Sequence, residues 1–277
     1  MTDNLPVTID VKRIIEQKNP KLSRIVPGFI INYLKKIIHQ NELNDFMEKF
    51  GHLRDVDLVK AGIDYLGISY RVHNRHNIPP ATGRYIFTSN HPLGGLDGAV
   101  FINELSDYYG EVRFPVNDIL MNISNMSGVF LPINKHGSQN REAVRKIEEA
   151  YASDAQILYF PAGLCSRKKG GIVEDLRWQK SVVVKARTHK RDIVPVYFSG
   201  ENSDFFYNLA NIRVLLGIKS NIEMLYLPDE MFRQKNKEIH LVFGHPVPWQ
   251  TFDRSKPATE WADWLKKKSY DLAGDIR

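Results

Sequence analysis

From residue 64 onward the chain alternates short runs of β-branched and aromatic residues with stretches of helical period, and this constrains the fold more than any other feature. The apolar runs are "YLGISYRV", "RYIFTS", "VRFPV", "GVFLPI", "QILYF", "IVPVYFS" and "EIHLVFG". They are short and rich in Val, Ile, Tyr and Phe, as strands are. Between several of them lie helical segments at 97–109, 138–153 and 178–190, with a shorter one around 203–215, and 257–275 closes the chain as an amphipathic helix. Strands alternating with helices predict an α/β sandwich with a largely parallel sheet. Ligands of such sheets sit outside the carboxyl ends of the strands. The loops after "YIFTS" and "ILYF" can therefore line one crevice.

At 277 residues the chain can bury a substantial core in one domain with room for a small appendage, and 43% hydrophobic with 25% charged residues excludes a disordered chain. A single cysteine, Cys165, excludes a disulfide framework and a cysteine-rich zinc site and suits a reducing compartment. The first residues, "MTDNLPVTIDVKRIIEQ", carry no apolar run of the signal-peptide kind, and no run approaches the roughly 20 residues of a membrane span. The formal charge is 38 − 32 = +6, which attracts an anionic partner, either nucleic acid or an anionic membrane surface, or simply keeps the protein soluble. Zinc-finger spacing, an RNP-like aromatic motif and a long basic tail are all missing, so no nucleic-acid partner is expected. The nine histidines are dispersed, with His73 and His76 the one close pair, so no metal site is expected either. The "GGLDG" stretch is not a phosphate loop.

Residues 22–49 predict a helix with Pro27 near its start, and Ile30, Ile31, Leu34, Ile37 and Ile38 form its apolar stripe while Lys35, Lys36 and His39 face elsewhere. Such a helix packs on its own domain or lies in a membrane interface, and both hold if it caps a site at the bilayer.

Two loops carry candidate chemistry. In "SNHPLGGLDG" His91 can accept a hydroxyl proton, and Asp97 can hold its tautomer once Gly94 and Gly95 fold the loop back. Helix N–H groups at the same place can stabilise an oxyanion. The plainer reading makes Asp97 a helix cap and His91 a loop residue. In "FPAGLCSRKKGG" the strand end is followed by Pro161, Gly163, Ser166, Arg167, Lys168 and Lys169, which suits an anionic or polar headgroup or serves solubility. Cys165 can act as a nucleophile only with a base nearby, and a lone cysteine is more often inert. Phe205, Phe206 and Tyr207 read as packing residues of a helix.

In order along the chain, "NHPLGGLDG", "FPAGLCSR", "IVPVYF" and "FGHPV" resemble the ordered motifs of the PlsC-like glycerolipid acyltransferase superfamily over about residues 64–250. "FPAGLCSR", "DLRW" and "GENSDFFY" resemble its hemolysin-like branch, which includes ornithine- and glycine-lipid O-acyltransferases. The resemblance implies an αβα sandwich with a mixed, largely parallel sheet of about seven strands, spanning 61–277, and a helical membrane-facing element over 1–60. It implies transfer of an acyl chain from acyl-carrier protein or coenzyme A, as co-substrate, to the hydroxyl of a lyso-lipid, with no bound cofactor and no metal. His91 would be the general base, Asp97 its orienting partner, and Asn90, Gly94, Gly95, Gly163, Ser166, Arg167 and Lys168 would bind substrate. Phe205 to Tyr207 would flank the lipid entrance. The partners would be the lyso-lipid, the thioester donor and an anionic membrane surface, with the protein cytoplasmic and peripheral on the inner face.

This chain departs from the family pattern twice. Five residues rather than four separate His91 from Asp97, so either the Gly pair absorbs the extra residue or Asp97 is not the partner. Ala162, Leu164 and Cys165 stand where the family carries Glu, Thr and its first Arg. Losing that Arg removes a bidentate phosphate contact, which favours a lyso-amino-acid lipid whose carboxylate meets Arg167 and Lys168. The alternatives are a lysophosphatidate acyltransferase with an altered phosphate site and a non-catalytic, hemolysin-like membrane-binding protein.

Overall fold

The computed structural model describes residues 9–117, 120–133 and 141–276. Its strands are β1 (Ser69–His73), β2 (Tyr85–Ser89), β3 (Val112–Val116), β4 (Phe130–Pro132), β5 (Gln156–Tyr159), β6 (Arg167–Lys169), β7 (Ile172–Glu174), β8 (Asp192–Phe198) and β9 (Glu238–Phe243). All seven apolar runs become strands of one sheet in the order β1-β9-β8-β2-β5-β3-β4. Five of its six neighbour pairs are parallel, and only β8 and β9 run antiparallel. The sheet is thus mixed and largely parallel, as expected.

The helices are α1 (Val11–Lys18), α2 (Pro20–Ile25), α3 (Gly28–Ile37), α4 (Gln40–Phe50), α5 (Asp55–Leu66), α6 (Gly95–Tyr109), α7 (Arg141–Ala152), α8 (Ser181–His189), α9 (Asp204–Leu215), α10 (Leu227–Arg233) and α11 (Ala258–Asp271). Residues 138–140 of the helix expected over 138–153 lie outside the described residues. Successive residues of β2 feed opposite cores. Phe87 packs with Leu96, Val100, Phe101 and Leu105 of α6 and with Leu58 and Ile63 of α5. Ile86 packs on the other face with Val182, Val183 and Ala186 of α8 and Trp261, Ala262 and Leu265 of α11. Burial on both faces is why the strands read as continuous apolar runs rather than alternating ones. The result is the αβα sandwich.

Two expectations need correction. The single helix over 22–49 is three, α2, α3 and α4. Pro27 caps α3 with φ −60° and ψ 146°, because a proline ring keeps its predecessor out of the helical region and has no N–H to continue the ladder. His39 then breaks the chain again in the left-handed region at φ 55°, where its Nε2 lies 2.9 Å from Asp229 Oδ1 and its ring stacks on Phe232 at 4.2 Å. The segment after "FPAGLCS" is also more than a basic loop. β6 and β7 form an antiparallel hairpin with Lys169 opposite Ile172. Its two-residue turn is Gly170 and Gly171, at φ 55° and 82°, the type I′ geometry that glycine adopts without steric cost.

Among the described residues no helix is long and apolar enough to cross a membrane.

Candidate active site

The site sits where β2 ends. β2 and β8 run side by side through Ser89 opposite Val196 and then part. Asn90 bridges the gap, its Nδ2 donating to Phe198 O at 2.8 Å and its Oδ1 accepting from Phe198 N at 2.7 Å. Its side-chain amide extends the ladder after the backbones diverge, which fixes the start of the loop.

The next residues turn into α6. Gly94 adopts φ 76° and ψ −117°, and a Cβ there would lie 2.9 Å from Leu227 Cδ2 and 3.3 Å from Cys165 Sγ. The conformation requires glycine at this position, and a Cβ would also make the Leu227 side chain shift. That turn takes up the extra residue between His91 and Asp97. His91 Nδ1 lies 3.0 Å from both Oδ1 and Oδ2 of Asp97.

The Asp97 carboxylate is fully buried, in the first turn of α6, and also accepts from Leu93 N and Gly98 N, each at 2.9 Å. The helix cap is Gly94 rather than Asp97, which corrects the plainer sequence reading; Asp97 lies in the first turn, braces the loop at Leu93 N and faces the imidazole. An ionised carboxylate only accepts, so the ring proton sits on Nδ1 and Nε2 keeps its lone pair. The His91 ring stacks on Phe160 at 4.1 Å, which fixes its plane, and its side chain is 17% exposed.

Asp175, of the "DLRW" stretch, locks this loop to the one after β5. Its Oδ1 accepts from His91 N at 3.1 Å and from Ser166 Oγ at 2.6 Å, while Oδ2 accepts from Trp178 Nε1 at 2.8 Å. Ser166 N returns a bond to His91 O at 2.8 Å, and Tyr270 OH accepts from Asp175 N at 2.7 Å. Burial pushes the Asp175 carboxyl above its usual range, opposed by the bonds from Ser166, Trp178 and His91 N. The sequence marks this Asp and Trp, and Phe160 of "FPAGLCSR", only as members of a signature without a task, and Tyr270 carries no signal at all. Asp175→Asn would turn an amide N–H₂ toward either the Trp178 or the Ser166 donor. The expected result is a kcat reduced roughly 10²-fold through misplacement of His91, with acceptor KM much less affected, as steady-state kinetics would show.

A cavity of about 330 Å³ opens at the carboxyl ends of β2 and β8, lined by Asn90, Pro92, Ser166, Tyr197, Gly200 and Tyr270 among others. A larger cleft of about 470 Å³, around Arg84, Lys190 and Trp249, contains none of the predicted site residues. The smaller cavity, next to the His91 loop, is the candidate site.

A family model described as Acyltransferase matches residues 13–276. The chain belongs to the acyltransferase family. It is 45% identical over 273 residues to the lyso-glycine lipid O-acyltransferase of Bacteroides thetaiotaomicron, covering 98% of this chain and all of that one. It is equally 45% identical over 273 residues to the lyso-glycine lipid O-acyltransferase of Phocaeicola vulgatus, covering 98% of each chain. The resemblance read from the motifs is thus correct, and both of these relatives are named as glycine-lipid enzymes. The crystal structure of the 1-acyl-sn-glycerophosphate acyltransferase PlsC from Thermotoga maritima is similar over 80% of this chain and 78% of that one, at 17% identity and a TM-score of 0.48.

The acyltransferase brings His91, Asp97, Asn90, Gly94, Gly95 and Ser166 together. A Cβ at Gly95 would meet nothing within 4 Å, so the first turn of α6 is open to a ligand. Gly163 closes a turn on Phe160 O at 3.0 Å, at φ 67°.

Arg167 and Lys168 are engaged elsewhere. Arg167 is buried, its Nη2 donating to Glu223 Oε1 at 2.8 Å and its Nη1 to Cys165 O at 2.7 Å. Lys168 Nζ donates to Asp204 Oδ1 at 2.7 Å. Sequence spacing missed Glu223 because it lies 56 residues from Arg167. Cys165 fills an apolar cluster with Phe206 and Tyr207, and burial pushes its thiol up, away from the thiolate a nucleophile needs. Phe206 and Tyr207 are core residues, as the packing reading had them, whereas Phe205 is half exposed.

Proposed function

We propose that this acyltransferase moves an acyl chain from a thioester, carried by acyl-carrier protein or coenzyme A, to the free hydroxyl of a lyso-glycine lipid at a membrane surface. The observation that carries the reading is the His91–Asp97 pair, held on a loop whose Asn90 and Pro92 line a cavity at the strand ends. The full-length similarity to two lyso-glycine lipid O-acyltransferases supports the choice of acceptor.

In the step, Nε2 takes the acceptor's hydroxyl proton while the oxygen attacks the thioester carbonyl carbon. The tetrahedral oxyanion collapses, the C–S bond breaks, and the leaving thiolate recovers the proton from the imidazolium. Asp97 stabilises that imidazolium and holds the ring against Phe160 throughout. The oxyanion is best met at the amino end of α6, where the first helical N–H groups have no carbonyl partner within the helix and the dipole is positive. The residues at positions 162, 164 and 165 support an acceptor without a phosphate, since Ala, Leu and a buried Cys supply no charge there. The protein's N-terminal helices α1–α4 form the membrane-facing element of this reading.

The test offers a labelled acyl chain on acyl-carrier protein and, separately, on coenzyme A, with three acceptors: lyso-glycine lipid, lyso-ornithine lipid and lysophosphatidic acid. Label is expected to reach the lyso-glycine lipid fastest. Preferential labelling of lysophosphatidic acid would reject the acceptor assignment, and no transfer to any acceptor from either donor would reject the activity.

A further inference from the structure

We propose that the cavity at the ends of β2 and β8 is the subsite for the acceptor's carboxylate, with the Tyr197 and Tyr270 hydroxyls and the N–H groups of Gly200 and Glu201 as its donors. The assignment rests on the amino-acid acceptor of the proposed function. It supplies the contact that Arg167 and Lys168, held by Glu223 and Asp204, do not.

The backbone donors follow from how β8 ends. Phe198 N donates to Asn90 Oδ1 and Ser199 N donates to His240 O, on opposite sides of the strand. Continuing that alternation, Gly200 N returns to the Asn90 side. Among the described residues neither Gly200 N nor Glu201 N has a protein acceptor, and both residues line the cavity. Successive N–H groups at a turn of positive φ, here Gly200 at 105°, make a concavity suited to an anion.

The two tyrosines line the same cavity, and their rings meet edge-on at 5.9 Å. Among the described residues the Tyr197 hydroxyl has no hydrogen-bond partner. Tyr270 OH accepts from Asp175 N and keeps its own proton to give. Burial pushes both phenols above their ordinary range, so both stay protonated donors at neutral pH.

The charge of the set selects its ligand. No Lys or Arg is among the described residues lining the cavity. The acid that does line it, Glu201, has its side chain 59% exposed and 3.9 Å from Lys168 Nζ. A few neutral N–H and O–H donors hold a carboxylate monoanion in its ionised form. A phosphate monoester, at about −1.5 to −2, is the ligand of Arg and Lys instead. Asn90 and Pro92, on either side of His91, also line the cavity, so a carboxylate held there lays the acceptor along the catalytic loop.

The probe is N-octanoylglycine, which has an N-acylglycine head and no hydroxyl to acylate, compared with its methyl ester by calorimetric titration. Wild type is expected to bind the acid at least about tenfold tighter than the ester, the scale of a hydrogen bond to a charged group. Tyr197→Phe keeps the ring, has no polar partner in the protein to lose, and is expected to remove most of that preference. Tyr270→Phe is expected to reduce the preference too, and to lower kcat with it, because it also strands Asp175 N. Equal affinity for acid and ester in wild type, binding of neither, or a preference that both Tyr variants retain would overturn the subsite. So would a preference that only Arg167→Ala removes. Transfer is not needed for this result: a protein that prefers the acid through Tyr197 yet labels no lyso-glycine lipid keeps the subsite and loses the proposed activity.

Discussion

His91→Ala is expected to lower kcat by about 10²–10⁴-fold, the span general-base catalysis supplies, in a protein that still folds. The fold survives because the loop is held by the backbone of residue 91, not its ring: His91 N donates to Asp175 and His91 O accepts from Ser166 N. Alanine keeps both bonds and removes only Nε2 and the stacked ring. Asp97→Asn tests the partner. If its amide presents N–H₂ to the imidazole, Nδ1 becomes the acceptor, the proton moves to Nε2, and the base is lost, a change of roughly 10⁴-fold in comparable sites. The two losses are expected not to add in the double variant, because the residues act as one unit.

The parts of this site that were legible in the sequence are those built from neighbours in the chain. "YIFTS" and "IVPVYFS" announce strands because each is apolar along its length, and each becomes one, β2 and β8. His91, the Gly pair and Asp97 are close in sequence, so their chemistry could be read, although only the structure decides that Gly94 turns far enough to absorb the fifth residue. The connections across the fold were not legible. Asn90 acts on Phe198, 108 residues away, and Asp175 acts on His91, 84 residues away. Nothing local distinguishes such a residue from any other polar loop residue. The helix over 22–49 failed for a different reason. Its apolar spacing is genuine, but periodicity does not register the left-handed turn that His39 makes in contact with Asp229 and Phe232. The hairpin β6–β7 had its signal, the Gly170–Gly171 pair, which a reading focused on the neighbouring cations passed over.

Arg167→Ala is expected to cost stability rather than acceptor affinity. Resemblance to the family implies an Arg that meets substrate, yet this guanidinium is only 8% exposed and faces a fully buried Glu223. Arg213 shares that carboxylate, with Nε 2.8 Å from Oε2. Removing Arg167 leaves a buried carboxylate with one partner instead of two and takes the donor from Cys165 O at 2.7 Å. Breaking a buried pair costs about 3–5 kcal/mol, and the low end applies because Arg213 remains. For a domain of this size that corresponds to a melting temperature lower by roughly 6–12 °C. Glu223→Ala should be worse, since it strands two guanidinium groups. If instead Arg167→Ala melts like wild type while the KM for lyso-glycine lipid rises about tenfold or more, the guanidinium leaves Glu223 when substrate arrives and meets its carboxylate, with a charge-assisted pair as the lost contact. The two outcomes differ in which measurement moves, so thermal unfolding and acceptor KM on one variant decide whether Arg167 builds the wall of the site or reads what enters it.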